Sequence, residues 1–99
     1  MDSDLLIWLI VFFSFFLFAC FHEPHEPIAS AAKYQRLYSH EDPAYAAHHG
    51  NISQLDDGFG RLLDAVKQLG LQDDTVVIFT SDNGPAITAM HPHGSAGPL

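Results

Sequence analysis

Positive charge is the scarcest property of this chain: 4 Lys and Arg stand against 12 Asp and Glu in 99 residues, for a formal net charge of −8. Binding to a phosphate backbone needs clustered cations, so nucleic acid is excluded as a partner. An anionic small ligand is repelled too, unless a bound cation or further basic groups reverse the local field. Cysteine occurs once, at Cys20, which allows neither an internal disulfide nor a CxxC pair for a thiolate zinc site. Cys20 reads as a small apolar residue near the end of a strand. No internal repeat or low-complexity tract is present. A domain of this length buries only about 60–65% of its unfolded surface, which leaves a thin stability margin.

Long apolar runs are also few. The longest, Leu5 to Phe21, is interrupted only by Ser14 and comes close to the roughly 18 residues that raise a membrane-spanning helix. Asp2 and Asp4 precede it without any Lys or Arg, whereas a signal peptide starts basic. Leu17-Phe18-Ala19-Cys20 matches a lipoprotein cleavage site poorly, with Phe at the middle position. Periodicity does not separate a membrane helix from a buried strand here. Membrane association through Leu5–Phe21 and a core strand over Phe15–Phe21 are therefore both readings of the run.

What the chain does contain is two apolar segments that each empty into a polar loop. Val76-Val77-Ile78-Phe79 is β-branched and aromatic, as suits a strand buried on both faces, and it runs through Thr80-Ser81-Asp82-Asn83 to a Gly84-Pro85 breaker. Asp82 and Asn83 then sit at a strand's carboxyl end, where the loops of an α/β sheet converge on ligands. Their oxygens are the hard donors that Ca²⁺ or Mg²⁺ prefers. Asp-Asn-Gly is equally ordinary turn chemistry. Upstream, Phe15–Phe21 breaks into His22-Glu23-Pro24-His25-Glu26-Pro27, whose prolines impose extended or turn geometry.

Between the two runs lies the clearest helix. Ile52, Leu55, Phe59, Leu62, Leu63, Val66 and Leu69 recur at steps of three and four, which places them on one face. Gly70 is a good residue to follow the helix, with Leu71 packing back on the last turn. Gly58 and Gly60 each weaken it by about 1 kcal/mol relative to Ala, so packing must support it. Strand, helix and strand give a right-handed crossover, the unit of an α/β fold. Asp56 and Asp57 point about 100° apart on such a helix and do not form a catalytic pair. Lys33 to Tyr38 reads as a short helical or irregular segment. Histidine occurs 7 times, with His22 and His25, His48 and His49, and His91 and His93 close in sequence. A zinc site from these lacks finger spacing and a thiolate partner.

Taken in order, the Phe-Leu-Phe-Ala-Cys-Phe-His-Glu-Pro-His-Glu-Pro stretch ending at Pro27, Tyr45, Asn51-Ile52, Leu55-Asp56-Asp57, Gly60-Arg61 and Phe79-Thr80-Ser81-Asp82-Asn83-Gly84 resemble the middle of a sulfatase catalytic domain. The type is that of arylsulfatase and N-acetylgalactosamine-6-sulfatase, within the alkaline-phosphatase-like superfamily. The resemblance covers residues 12–99 and leaves residues 1–11 unmatched. It implies an α/β fold class, with the chain a fragment of an alkaline-phosphatase-like sheet and its flanking helices. It implies that Asp82 and Asn83 bind a divalent cation, usually Ca²⁺, and that His25 contacts the sulfate or its leaving oxygen. Sulfated small molecules or sulfated glycans are then the partners, and an exported, periplasmic or lysosomal location goes with them. Related phosphatases and phosphodiesterases tend to show Asp-His-Gly where this chain has Asp82-Asn83-Gly84, which disfavours a phosphodiesterase of the same superfamily.

The departures from the family are as informative. Its nucleophile is a formylglycine made from a C/S-x-P-x-R motif, but Cys20 is followed by Phe21-His22-Glu23-Pro24, without the proline and arginine at the required places. Two further acidic metal ligands of the family lie upstream of the matched segment. A catalytic lysine usually follows a loop like Gly94-Ser95-Ala96-Gly97-Pro98-Leu99. The expectation is an internal sulfatase fragment with no hydrolytic activity of its own. The alternative from a different class is a noncatalytic, membrane-anchored remnant that binds cations or a partner.

Overall fold

The computed structural model describes residues 14–85, 94, 95, 97 and 98. Most of the apolar N-terminus (5–13), the unmatched residues 1–11 and the His91-Pro92-His93 segment lie outside them. The elements, in order, are helix α1 (Ala32–Gln35), a 3-10 turn (Arg36–Tyr38), helix α2 (Pro43–Gln68) and a second 3-10 turn (Gln72–Asp74).

Helix α2 is longer than its apolar face predicts. It starts where Asp42, in extended conformation, accepts a hydrogen bond from Ala44 N–H at 3.0 Å, with Pro43 supplying a first-turn residue that needs no donor. His48 and His49 lie inside it, ahead of the apolar periodicity that starts at Ile52. At the other end Gly70 adopts φ +71°, Leu71 N–H reaches Val66 O at 3.0 Å and Gly70 N–H reaches Lys67 O at 3.0 Å. This pair of bonds is a Schellman cap, as the Leu69-Gly70-Leu71 sequence implies. Lys33–Tyr38 is helical, split between α1 and the first 3-10 turn.

The α/β expectation is overturned: the described residues contain helices and no strand or sheet. A strand exists only when a neighbour satisfies its backbone. Among the described residues no backbone hydrogen bond involves Val76 to Phe79, and residues 14–21 have no regular structure. Each run instead touches α2. Phe21 lies beside Gly58, where an added Cβ would stand 3.3 Å from its ring, and the ring of Phe79 packs against that of Phe59 at 4.9 Å. Positions 58 and 59 point about 100° apart on a helix, so the two rings meet different flanks of one turn; no ladder joins the runs among the described residues. The strand-helix-strand crossover is corrected with the sheet. Cys20 is exposed and not at a strand end.

Little is buried. Ala46 is the one buried apolar residue among those described, and Asn51 is fully enclosed. The Cα radius of gyration is 19.0 Å, against about 13 Å for a compact domain of this size. No described helix is long and apolar enough to cross a membrane.

Candidate functional site

The loop that carries His25 is built from turns at Glu23-Pro24 and bends at His25–Pro27. The His25 ring is exposed, and its Nδ1–H donates to Glu26 O at 2.6 Å. That bond fixes the ring's orientation and leaves Nε2 as the nitrogen open to a ligand. His22 stands beside it, with ring centroids 6.0 Å apart, and donates from Nε2 to Pro27 O at 3.4 Å.

A polar stripe of α2 holds this loop in place. Gln54 uses both ends of its amide: Nε2 donates to Glu23 Oε1 at 2.8 Å, and Oε1 accepts from Ala31 N–H at 2.8 Å. Asn51 Nδ2 donates to Ala29 O at 3.4 Å, and Ser30 Oγ donates to Ala47 O at 3.2 Å. Further along, Tyr34 O–H donates to Asp57 Oδ2 at 2.5 Å. Glu23 is held below the usual carboxylate range, first by a backbone hydrogen bond of its own residue, then by the Gln54 amide and more weakly by the His22 imidazole, against a small opposing effect of burial. Sequence reasoning missed this stripe. Ala47, Asn51, Gln54 and Gly58 recur at steps of three and four, next to the apolar face, and only the apolar half of that periodicity drew attention.

Asp82 and Asn83 occupy an exposed bend after residues 75–80. Ser81 Oγ donates to Asn83 O at 2.5 Å and braces it. No described hydrogen bond or ion pair joins His25 to Asp82 or Asn83. Among the described residues no group of three or more His, Cys, Asp or Glu side chains could hold a metal ion. One carboxylate and one amide carbonyl fit a hard cation in kind, but Ca²⁺ takes 6–8 oxygens. All four Lys and Arg residues, Lys33, Arg36, Arg61 and Lys67, sit on helical segments, so neither loop carries a Lys or Arg side chain to attract an anion.

The remaining imidazole cluster lies apart from this loop. His49 Nδ1 pairs with Glu41 Oε2 at 2.6 Å, and the Tyr38 and Tyr45 rings flank His49 at 5.4 and 5.9 Å. Ile52, Leu55, Asp56 and Phe59 of α2 form, with Phe79, a shallow groove of 340 Å³. This groove uses the first half of the predicted apolar face.

The sulfatase family profile matches residues 13–98, which include both the His25 loop and the Asp82-Asn83-Gly84 bend. Human arylsulfatase A is 34% identical over 85 residues, covering 86% of this chain and 16% of that protein. An uncharacterized sulfatase of Escherichia coli K12, YdeN, is 30% identical over 84 residues, covering 83% and 15%. Mouse N-acetylgalactosamine-6-sulfatase is 31% identical over 87 residues, covering 86% and 16%. The chain thus spans about one sixth of the length of these curated relatives. No solved structure matches it. On the extent of the profile match and the identity to these relatives, the chain belongs to the sulfatase family.

Proposed function

We propose that this chain supplies part of the active site of a sulfuric ester hydrolase, with His25 at the sulfate and Asp82 and Asn83 as ligands of a divalent cation such as Ca²⁺. The observation that carries the reading is the family match running unbroken from the His25 loop to the Asp82-Asn83-Gly84 bend. The chemistry of the residues agrees with it. His25, oriented through Nδ1, would present Nε2 to the ester, and as a general acid it would give the departing oxygen a proton from Nε2, returning to the neutral Nδ1–H ring. General acid help of that kind contributes on the order of 10²–10⁴-fold. A bound cation would neutralise charge on the non-bridging sulfate oxygens. This chain's own excess of acidic residues makes that neutralisation necessary for binding an anion.

The names of the relatives point to an aryl sulfate or a sulfated N-acetylgalactosamine as substrate class, and an exported or lysosomal setting goes with such substrates. The 99 residues contain no C/S-x-P-x-R motif, so we assign them no formylglycine and no hydrolysis unaided. Purified chain that turned over an aryl sulfate would refute that part.

Grafting tests the rest. Residues 13–98 replace the matched segment of human arylsulfatase A, and hydrolysis of an aryl sulfate is measured on protein shown to be folded by its cooperative melt. The expected result is cation-dependent hydrolysis that falls by about 10²-fold or more with His25→Ala and is lost with Asp82→Ala. A folded graft with no hydrolysis, or one indifferent to both substitutions, overturns the reading.

A further inference from the structure

We infer that Gln54 is a positioning residue, a clamp that closes the two ends of the His25 loop by bridging the Glu23 carboxylate and the Ala31 backbone N–H. Its importance to catalysis rests on the role of His25 proposed above, but the clamp itself is a matter of geometry. One side-chain amide spends its donor and its acceptor on two points eight residues apart in sequence, at 2.8 Å each. His25 lies between those points, while the Asn51 and Ser30 bonds tie the segment to α2 only at Ala29 and Ser30. Gln54 is itself part-buried on a 26-residue helix, which is a rigid base. Asn51, one turn earlier and fully buried, adds a bond to Ala29 O. The loop therefore cannot swing His25 away from α2 without breaking a charge-assisted hydrogen bond to Glu23 and exposing the Ala31 N–H.

The arrangement has a polarity that can be tested by exchange. Gln54→Glu sets two carboxylates against each other, so the Glu23 end opens. Adding Glu23→Gln reverses the donor and acceptor: the new amide at 23 donates to the new carboxylate at 54, whose other oxygen still accepts from Ala31 N–H. NMR on the full 99-residue chain reads the result at two places, the amide exchange rate of Ala31 and the ring ¹⁵N and ¹³C shifts of His25 at fixed neutral pH, while helix content reports on α2. Gln54→Glu, which keeps an acceptor for Ala31 N–H and loses the donor to Glu23, is expected to move the His25 ring signals, and the Glu23→Gln, Gln54→Glu pair to bring them back toward the native values. Gln54→Ala, which deletes both bonds, is expected to move the His25 ring signals and also to speed Ala31 exchange by about tenfold or more. Unchanged Ala31 and His25 signals in a Gln54→Ala chain with an intact helix, or an exchanged pair that fails to restore the His25 signals, overturn the clamp. A failed arylsulfatase graft leaves these signals untouched, so the two proposals fall separately.

Discussion

Glu23 shows how much of the candidate site depends on single side chains. Its carboxyl is held below the ordinary range by its own backbone and by Gln54, so the folded loop prefers it ionised. A depressed carboxyl contributes stability that is present above its unfolded pKa and is lost as pH falls through the folded value. The Ala31 amide is therefore expected to keep its protection from neutral pH down through the usual glutamate range and to lose it only below, as followed by hydrogen exchange across an acid titration. Loss of protection above that range would contradict the assignment. At the same scale, His25, Asp82 and Asn83 stand out in the sequence because Pro24, Pro27 and Gly84-Pro85 punctuate the chain beside them, while the roles given to them rest on the family resemblance. Glu23, Asn51 and Gln54 were not, since a polar residue on a helix reads as solvated until the partner loop is seen.

Helix α2 owes its limits to local chemistry that the sequence states openly. Asp42-Pro43 is a cap followed by a first-turn proline, and Gly70-Leu71 closes the far end. An apolar periodicity beginning at Ile52 hid the first turns, because Ala44, Ala46 and Gly50 are too small to register as a hydrophobic face. Gly70→Ala places a Cβ at φ +71° and is expected to cost about 1–2 kcal/mol, measured by denaturant unfolding followed through helix content. Gly50 answers to a different constraint. A Cβ there would stand 3.0 Å from Gln35 N and 3.1 Å from Tyr34 C, and backbone cannot rotate aside. Gly50→Ala should thus destabilise the docking of α1 by about 1–3 kcal/mol of overpacking, only partly offset by a gain of about 1 kcal/mol in helix propensity. The Tyr34 and Gln35 amide shifts report that undocking, and unchanged shifts with raised stability would refute it.

At the scale of the whole molecule, the described parts of the apolar runs are largely exposed and contribute no buried residue. Val76 and Ile78 are 87% and 80% exposed while Val77 is 45% exposed, an alternation of the strand kind on a segment without a ladder. Periodicity and composition marked these residues as apolar and strand-forming in preference. They did not supply the neighbours that turn such a run into a sheet, and a ladder is a property of pairs. An uncharged, proline-free, largely exposed run from Thr75 to Thr80, without a backbone hydrogen bond to any described residue, is a site for self-pairing. Ile78→Lys is expected to reduce concentration-dependent association of the purified chain, seen by light scattering, without loss of α2 helicity. Undiminished association would place the sticky surface elsewhere.

The proximity of His25 to the Asp82-Asn83 pair is open to direct measurement with Mn²⁺ as a paramagnetic stand-in for the cation. Titrated into the 99-residue chain, it should broaden the Asp82 and Asn83 amide signals and the His25 ring signals together, and the broadening at His25 should vanish in the Asp82→Ala, Asn83→Ala double variant. Broadening confined to the bend, or broadening at His25 that persists in that variant, would contradict a shared cation-dependent site.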